Sequence, residues 1–430
     1  MTYVSPYKEF IFESYLFDSD TGEAEFNYSF DGELRFTERV AFSVADEYDR
    51  AALDRALFSA FIIAGISYYK AFPARQFLVR ARELSEDEAS FYSEVYLHGL
   101  SQFVYENRLD PTDIAVFAGA AQLEQQMDEY KGSGSLVLQS GGKDSLLLIE
   151  LLSKSRHTGS AWYMQQSLSV PGVVEQLGWP LRKIQRHIDR DGLGAAKEMG
   201  GLNGHVPVTY IVLGYAVIDA ILHSEATVLA AIGHEGEEPH AYIGDYPVTH
   251  QWSKTWGAEK MFSRHVERYI SAGIRVGSPL RGFSELKIAE LFVKDAWGRY
   301  SRSFSSCNVA NYQQGHDNRE LTWCGLCPKC ANSYLLFAPF VEKEELVEVF
   351  GGDLFVEPAL IDTFKGLLGV DGIEKPFECV GEIDELRLAY HKALVHGYSS
   401  LGFEVPDSSF DADIVYEHQA WARSLLPETL

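Results

Sequence analysis

Residues 135–153 read SLVLQSGGKDSLLLIELLS, and the way this stretch divides decides the fold. Ser135 to Gln139 has the character of a short apolar strand, Lys143 to Ser153 that of a strongly apolar helix, and Ser140-Gly141-Gly142-Lys143-Asp144-Ser145 is the turn between them. A glycine-rich turn from a strand into a helix N-terminus exposes backbone N–H groups where the helix dipole is positive, which makes an anion cradle. Gly141 and Gly142 admit phosphate oxygens without a Cβ clash, Ser140 and Ser145 add hydroxyl donors, and Lys143 offsets charge. Asp144 suits a Mg2+ partner or a helix cap better than a phosphate contact. An ordinary loop-to-helix turn with a capping serine is the bland alternative, and two adjacent glycines followed by Lys-Asp-Ser weigh against it. The loop lacks the Gly-x-x-x-x-Gly-Lys-Ser/Thr spacing of a Walker A motif.

Downstream the same rhythm continues, with a strand from Ser160 to Met164, a helix from Val206 to Leu222 and a strand from Thr227 to Ile232. Strands alternating with helices predict an α/β unit with a doubly wound, mostly parallel sheet. Upstream, aromatic and polar residues alternate from Tyr15 to Phe36, with Asp31-Gly32 as a hairpin signal. Two helices follow, one over about Asp46 to Tyr69 and one announced by Ser85 with Glu88 as a capping box. Lys131-Gly-Ser-Gly134 punctuates the chain before the loop. Beyond Phe340 the chain turns acidic and helical, with Glu382 to His396 and Phe410 to Leu425 as candidate helices. The expected organisation is therefore an α+β unit over 1–130, the loop-bearing α/β unit over 131–345 and a mainly helical unit over 346–430.

All five cysteines follow residue 306, and the spacing Cys324-Gly-Leu-Cys327-Pro-Lys-Cys330 is a knuckle that can wrap one metal. Cys307 supplies a fourth ligand. Four thiolates describe a closed structural Zn2+ site, with an iron–sulfur cluster as the alternative for the same ligands.

The 430 residues are 46% hydrophobic and 23% charged, a globular composition, and the formal charge of −25 argues against coating nucleic acid. The N-terminus MTYVSPYKEF does not read as a secretory signal, and the apolar run Val206 to Leu222, with Asp219 inside it, is short for a membrane span. A cytoplasmic protein without membrane or nucleic-acid partners is expected; oligomeric state is not legible.

The loop resembles the PP-loop of ATP pyrophosphatases, which cleave ATP between the α and β phosphates. That resemblance implies AMP transfer to a substrate oxygen and release of pyrophosphate, with Ser140, Gly141, Gly142, Lys143, Asp144 and Ser145 holding ATP. A four-cysteine knuckle after such a loop is similar to that of 7-cyano-7-deazaguanine synthases, over about residues 135–335 only. No cysteine precedes Cys307, so a built-in N-terminal cysteine glutaminase is ruled out. The stretches His250-Gln-Trp-Ser-Lys254, Ser305-Ser-Cys307 with Trp323-Cys-Gly, and Lys375-Pro-Phe-Glu-Cys379-Val-Gly381 resemble the UDP-N-acetylmuramoyl-L-alanyl-L-glutamate epimerases, as do the length and layout. This implies inversion of the terminal L-glutamate of a nucleotide-linked peptide, a peptidoglycan precursor. The competing reading is a PP-loop ligase that forms an amide, nitrile or thiolated product from an adenylated acid; a scaffold that binds the nucleotide without turnover is a third.

Inversion through an adenylated carboxyl is chemically sensible, because a free carboxylate opposes loss of its own α-proton. Adenylation removes that charge and supplies an acyl electron sink. An acid/base group is then needed on each face. Cys379, the thiol outside the knuckle, is the first candidate, against the alternative of a small buried hydrophobe. Read as part of a strand, Glu378 would point away from it. Lys143 and Asp144 are expected to serve catalysis as well as binding. Gly233-His234-Glu235 follows the strand Thr227–Ile232, where open α/β sheets bind ligands, so Glu235 is a candidate for Mg2+ or ribose and His234 for a base. His250 and Lys254 are candidates for substrate phosphate or carboxylate. Arg182, Lys183, Arg186 and Arg190 have helical spacing suited either to a diphosphate or to a solvated face.

Overall fold

The computed structural model describes residues 3–121, 130–166, 169–313, 319–428 and 430. Its strands are β1 (Glu9–Asp18), β2 (Glu23–Phe30), β3 (Leu34–Ala41), β4 (Gln76–Val79), β5 (Ser135–Leu138), β6 (Ser160–Gln165), β7 (Leu181–His187), β8 (Thr227–Leu229), β9 (Ala241–Ile243), β10 (Tyr246–Val248) and β11 (Arg275–Gly277). Nine of them form one sheet in the order β11-β8-β5-β6-β7-β3-β2-β1-β4, with β9 and β10 as a separate hairpin. From β11 to β7 all neighbours are parallel. The sheet then continues antiparallel through β3, β2 and β1.

The aromatic alternation buries Phe26, Tyr28, Phe30 and Phe36 as the sequence predicts, whereas Tyr15 and Phe17 toward the end of β1 are only half-buried. Phe10, Phe12, Phe26, Tyr28, Phe30 and Phe36 are all buried on the core face, and the hairpin between β2 and β3 turns at Asp31 (φ 51°) and Gly32 (φ 75°). Positive φ at both central positions is the type I′ turn that matches strand twist. The first helix starts at Arg50 because Asp49 caps it, and its continuation Ile66–Tyr69 follows Gly65. Arg50–Tyr69 is long and apolar enough to span a membrane, yet 83% of its most apolar window is buried inside the protein. The Ser85–Glu88 capping box is present at the helix Glu86–Gly99.

Side-chain alternation along the parallel strands divides the core in two. Leu136, Trp162 and Val228 pack on one face with the helices Arg50–Ala64 and Val208–Leu222. Their neighbours Val137, Ala161, Tyr163 and Leu229 pack on the other face with Lys143–Lys154, Glu285–Asp295 and Pro328–Phe337. Helices on both faces are the doubly wound arrangement.

Two expectations are corrected. Arg182, Lys183 and Arg186 lie on β7, not on a helix, because pairing with β6 and β3 and period-two burial of Ile184 and Arg186 override the spacing of the cations. Arg186 is buried and donates to Glu38 at 2.7 and 3.1 Å, Arg182 pairs with Asp219 and Glu225, and Arg190 opens a separate helix, Arg190–Glu198. The span Phe410 to Leu425 is helical only at Ala420–Arg423. Just before the span, Ser408 and Ser409 bond Asp384, 24 and 25 positions away, and inside it Asp411 accepts from the N–H of Asp413, a local bond that competes with a helix. The segment returns to the sheet, where the Tyr416 N–H donates to Gly282 O and Gln419 donates to Glu259 and Val276 O. The helix expected near Glu382–His396 is present as Ile383–Val395.

Candidate active site

Strand order β7-β6-β5-β8-β11 runs outward in both directions from β5, so the crossovers reverse between β5 and β8. Open α/β sheets bind ligands at such a switch point, beyond the carboxyl ends of the strands. Both the Ser140–Ser145 turn after β5 and the Gly233-His234-Glu235 turn after β8 lie there. Gly141 takes φ +81°, and a Cβ at that position would meet Leu321 Cδ1 at 2.5 Å. Gly142 is the N-cap of Lys143–Lys154, and no side-chain hydrogen bond caps that terminus. The first N–H groups of a helix have no intrahelical partner, so the positive end of this dipole is open to an anion. Ser145 Oγ accepts from the Ser140 N–H at 3.3 Å and donates to Gly142 O at 3.1 Å, which ties the turn to itself.

Charge around the turn is paired. Lys143, nearly buried, reaches Asp144 at 2.7 Å and Glu285 at 2.6 Å. Burial opposes its charge, but the two carboxylates hold its pKa above the usual lysine value. Glu285 stands at the start of the helix Glu285–Asp295, whose N-cap is Ser284. Burial pushes its carboxyl up to about 8, Lys143 pulls it back, and Asp144 and Glu235 push it further. Glu235 accepts from Lys254 at 2.9 Å. Burial disfavours the Lys254 ammonium, yet Cys379, Glu235 and Asp144 together hold it protonated. With its amide turned to suit both neighbours, Gln251 donates to Glu235 at 3.2 Å and accepts from the Val380 N–H at 3.3 Å. Lys254 and Gln251 thus tie the Glu235 side of the site to the segment carrying Cys379.

That segment is a bend rather than a strand, so the alternation that would separate Glu378 from Cys379 does not apply. Cys379 is half-buried. Burial alone would raise its pKa, but the nearby Lys254, Lys329 and His250 bring it well below the usual thiol value. Burial raises the Glu378 carboxyl against the pull of Lys329, and its Oε2 accepts from Asn308 at 3.2 Å. The Gly381 N–H donates to Asn332 Oδ1 at 3.0 Å, on the helix Pro328–Phe337 whose N-cap is Cys327. His234 makes different contacts, stacking on Tyr416 with centroids 3.4 Å apart and lying 3.4 Å from Glu382.

The sulfurs of Cys307, Cys324, Cys327 and Cys330 all lie within 4.8 Å of one another, with contacts of 3.6, 3.7 and 3.5 Å. Four thiolates around one tetrahedral ion at about 2.3 Å stand roughly 3.8 Å apart, so the set fits a single metal ion. The N–H groups of Ala310 and Leu326 point at Cys307 and Cys324 sulfurs, the usual support for such ligands. Asp144 and Glu235 are oxygen donors of the kind Mg2+ takes, each paired with a lysine here.

Glu285, Lys329, Gln102, Asn308 and Asn332 belong to this neighbourhood but were not singled out from the sequence. Lys329 carried a signal in its place between two knuckle cysteines, and Glu285 in its place after the capping Ser284. Gln102 carried none, because only the tertiary fold brings it to His250.

The family model described as the MurL N-terminal domain matches residues 1–278, and that of the MurL C-terminal domain matches residues 303–398. A protein of Salinispora tropica named UDP-N-acetyl-alpha-D-muramoyl-L-alanyl-L-glutamate epimerase is 35% identical over 394 residues, covering 88% of this chain and 83% of the relative. A Micromonospora protein of the same name is 34% identical over 88% of this chain and 85% of its own. One from Xanthomonas oryzae pv. oryzae is 34% identical over 86% and 82%.

Proposed function

The chain belongs to the MurL epimerase family, and from that premise we propose that it inverts the terminal L-glutamate of UDP-N-acetylmuramoyl-L-alanyl-L-glutamate at the expense of ATP. The observation that carries the chemistry is the uncapped helix N-terminus at Gly142, joined through the Asp144–Lys254–Cys379 line of charges to a thiol of lowered pKa. ATP lies on the Ser140–Ser145 turn of a PP-loop fold, and the α-carboxylate of the peptide attacks the α-phosphorus, expelling pyrophosphate. The acyl adenylate no longer repels an α-carbanion. Cys379, as thiolate, takes the α-proton from one face; a proton delivered to the other face inverts the centre; water then releases AMP and the D-epimer. Lys143 and Lys254 balance charge on the phosphates and carboxylates.

Asp144 and Glu235 would hold Mg2+, which supplies charge neutralisation for the triphosphate. The knuckle would hold one Zn2+, whose place is structural, since four thiolates leave no open position. His234 lies at the switch point, but its contacts with Tyr416 and Glu382 suit a support for the Glu382 turn better than a base. Substrate and ATP assign the reaction to the cytoplasm.

Incubation with ATP and UDP-N-acetylmuramoyl-L-alanyl-L-glutamate in heavy water is expected to place deuterium at the glutamate α-position while AMP and pyrophosphate appear. AMP formation without α-deuterium would point to a ligase-type use of the adenylate and end the epimerase reading.

A further inference from the structure

The Lys143 side chain is long and flexible, yet its ammonium is held at two points. Nζ lies 2.7 Å from Asp144 Oδ1 and 2.6 Å from Glu285 Oε2. The two anchors differ in kind. Asp144 is the next residue on the same helix start, so it moves with Lys143. Glu285 reaches in from 142 positions away and can fix the ammonium against the rest of the protein. An ammonium carries three donors, and two carboxylate bonds leave one for a phosphate oxygen.

Glu285 stands on a helix start that is itself fastened. It is the first residue of Glu285–Asp295, where Ser284 Oγ accepts from the Lys287 N–H at 3.1 Å. The Leu286 N–H donates to Glu385 at 2.6 Å. Just upstream, Phe283 O accepts from the His234 N–H at 2.7 Å. A Cβ at Gly233 would stand 2.4 Å from Ile288 Cδ1 and 3.0 Å from Phe283 O, so the close approach requires glycine there. This helix start is therefore packed against the turn after β8, while its first side chain holds the turn after β5. Glu285 is buried, and little water competes for its bond to Lys143.

We propose that Glu285 is a positioning residue for pyrophosphate release, holding the Lys143 ammonium at the Ser140–Ser145 turn so that the lysine is ordered before ATP binds. A lysine has large rotamer freedom, and ordering it during the reaction would slow the step it serves. Glu285 acts through the place of its oxygen, not through its charge. A carboxylate beside a triphosphate is by itself unfavourable, and the bond to Lys143 offsets it. The assignment rests on the reading of the Ser140–Ser145 turn as the ATP site.

The test separates place from charge. Glu285→Asp keeps the charge and draws the oxygen back by one methylene, whereas Glu285→Gln loses the charge and keeps an oxygen that accepts from Nζ. Pyrophosphate release is measured in the full-length, metal-loaded protein with ATP and UDP-N-acetylmuramoyl-L-alanyl-L-glutamate. The kcat is expressed per site that binds α,β-methylene-ATP, so that unfolded protein is not counted. Glu285→Asp should lose about tenfold to a hundredfold in kcat, the cost of a misplacement on the order of 1 Å, with KM for ATP unchanged. Glu285→Gln should keep a kcat near that of the wild type and lower the KM for ATP, because a negative charge beside the triphosphate is gone. Glu285→Leu, which removes the bond, should lose at least as much kcat as Glu285→Asp; if it does not fold, the Asp and Gln pair decides alone. A Glu285→Gln protein as impaired as Glu285→Asp, or more so, would overturn the assignment, because charge and not place would then be what Glu285 supplies. Wild-type kcat in Glu285→Asp would overturn it as well. Failure of the ATP reading looks different: the wild-type protein would then release no pyrophosphate, and the assignment would fall with it.

Discussion

The two glycines of the Ser140–Ser145 turn should fail in different ways when each is given a methyl group. At Gly141 the backbone is left-handed, φ +81°, and an added Cβ would stand 2.5 Å from Leu321 Cδ1. The left-handed conformation costs an ordinary L-residue about 1–2 kcal/mol. Leu321 is buried, so its displacement in a packed core adds about 1–3 kcal/mol. Gly141→Ala should therefore lose roughly 2–5 kcal/mol in urea unfolding, with activity falling alongside. Gly142 has φ −84°, and the nearest atoms to its added Cβ are Ser140 Oγ at 3.5 Å and Ser306 Cβ at 3.8 Å, ordinary contact distances. Gly142→Ala should then stay within about 1 kcal/mol of the wild type, the stiffer unfolded chain being set against the poorer fit of alanine at an N-cap. Its methyl nevertheless sits at the mouth of the uncapped helix terminus and would push a phosphate away. A misplacement on the order of 1 Å costs about a hundredfold in rate. Urea denaturation paired with a coupled pyrophosphate assay reads both effects. A Gly142→Ala protein that is stable and releases pyrophosphate at the wild-type rate would refute the idea that phosphates approach this backbone; equal destabilisation by both changes would refute the geometry of the turn.

Glu385 is 1% exposed, and its carboxyl accepts from the Leu286 N–H at 2.6 Å. Burial pushes it up to about 7, so the folded chain keeps a proton that the unfolded chain surrenders from about pH 4.5 upward. Stability should fall between those values by an amount on the order of 3 kcal/mol and level off above pH 7; Glu385→Gln should remove that slope in thermal melts across pH 4.5–8. Elemental analysis should find one zinc per chain, and stripping it with a chelator should raise hydrogen exchange in residues 303–312 and 319–337 and, through the Asn332–Gly381 bond, in 376–382. Unchanged exchange in all of these segments after complete zinc loss would count against a structural metal.

Much of this was legible in the chain because it is local. The Asp31-Gly32 turn, the Ser85–Glu88 capping box, the strand–turn–helix around Ser140–Ser145 and the cysteine spacing each need only a few consecutive residues. The parts that were not legible are those the fold assembles from afar. Glu285 meets Lys143 across 142 positions, and Gln102 meets His250 across 148. Neither pairing leaves a mark on periodicity. The cations of β7 misled because helical spacing over four residues is also compatible with a strand, and only the partner strands choose between them. The span Phe410 to Leu425 misled because the chain entering and crossing it is held by long-range bonds, Ser408 and Ser409 to Asp384 and the Tyr416 N–H to Gly282 O, which hydrophobic pattern alone does not reveal.

The antiparallel join between β3 and β7 has a consequence for how the chain can be divided. Arg39, Val40 and Ala41 pair with His187, Arg186 and Gln185, and the Glu38 carboxylate fastened to Arg186 also accepts from Tyr68 and Tyr215. A fragment beginning at residue 131 would uncover the hydrogen-bonding edge of β7 and strand a buried guanidinium without its anion. Such an edge is a template for another chain. The excised fragment should therefore aggregate on expression, and co-expressing residues 1–130 should rescue it by supplying the missing edge and the counter-charge together.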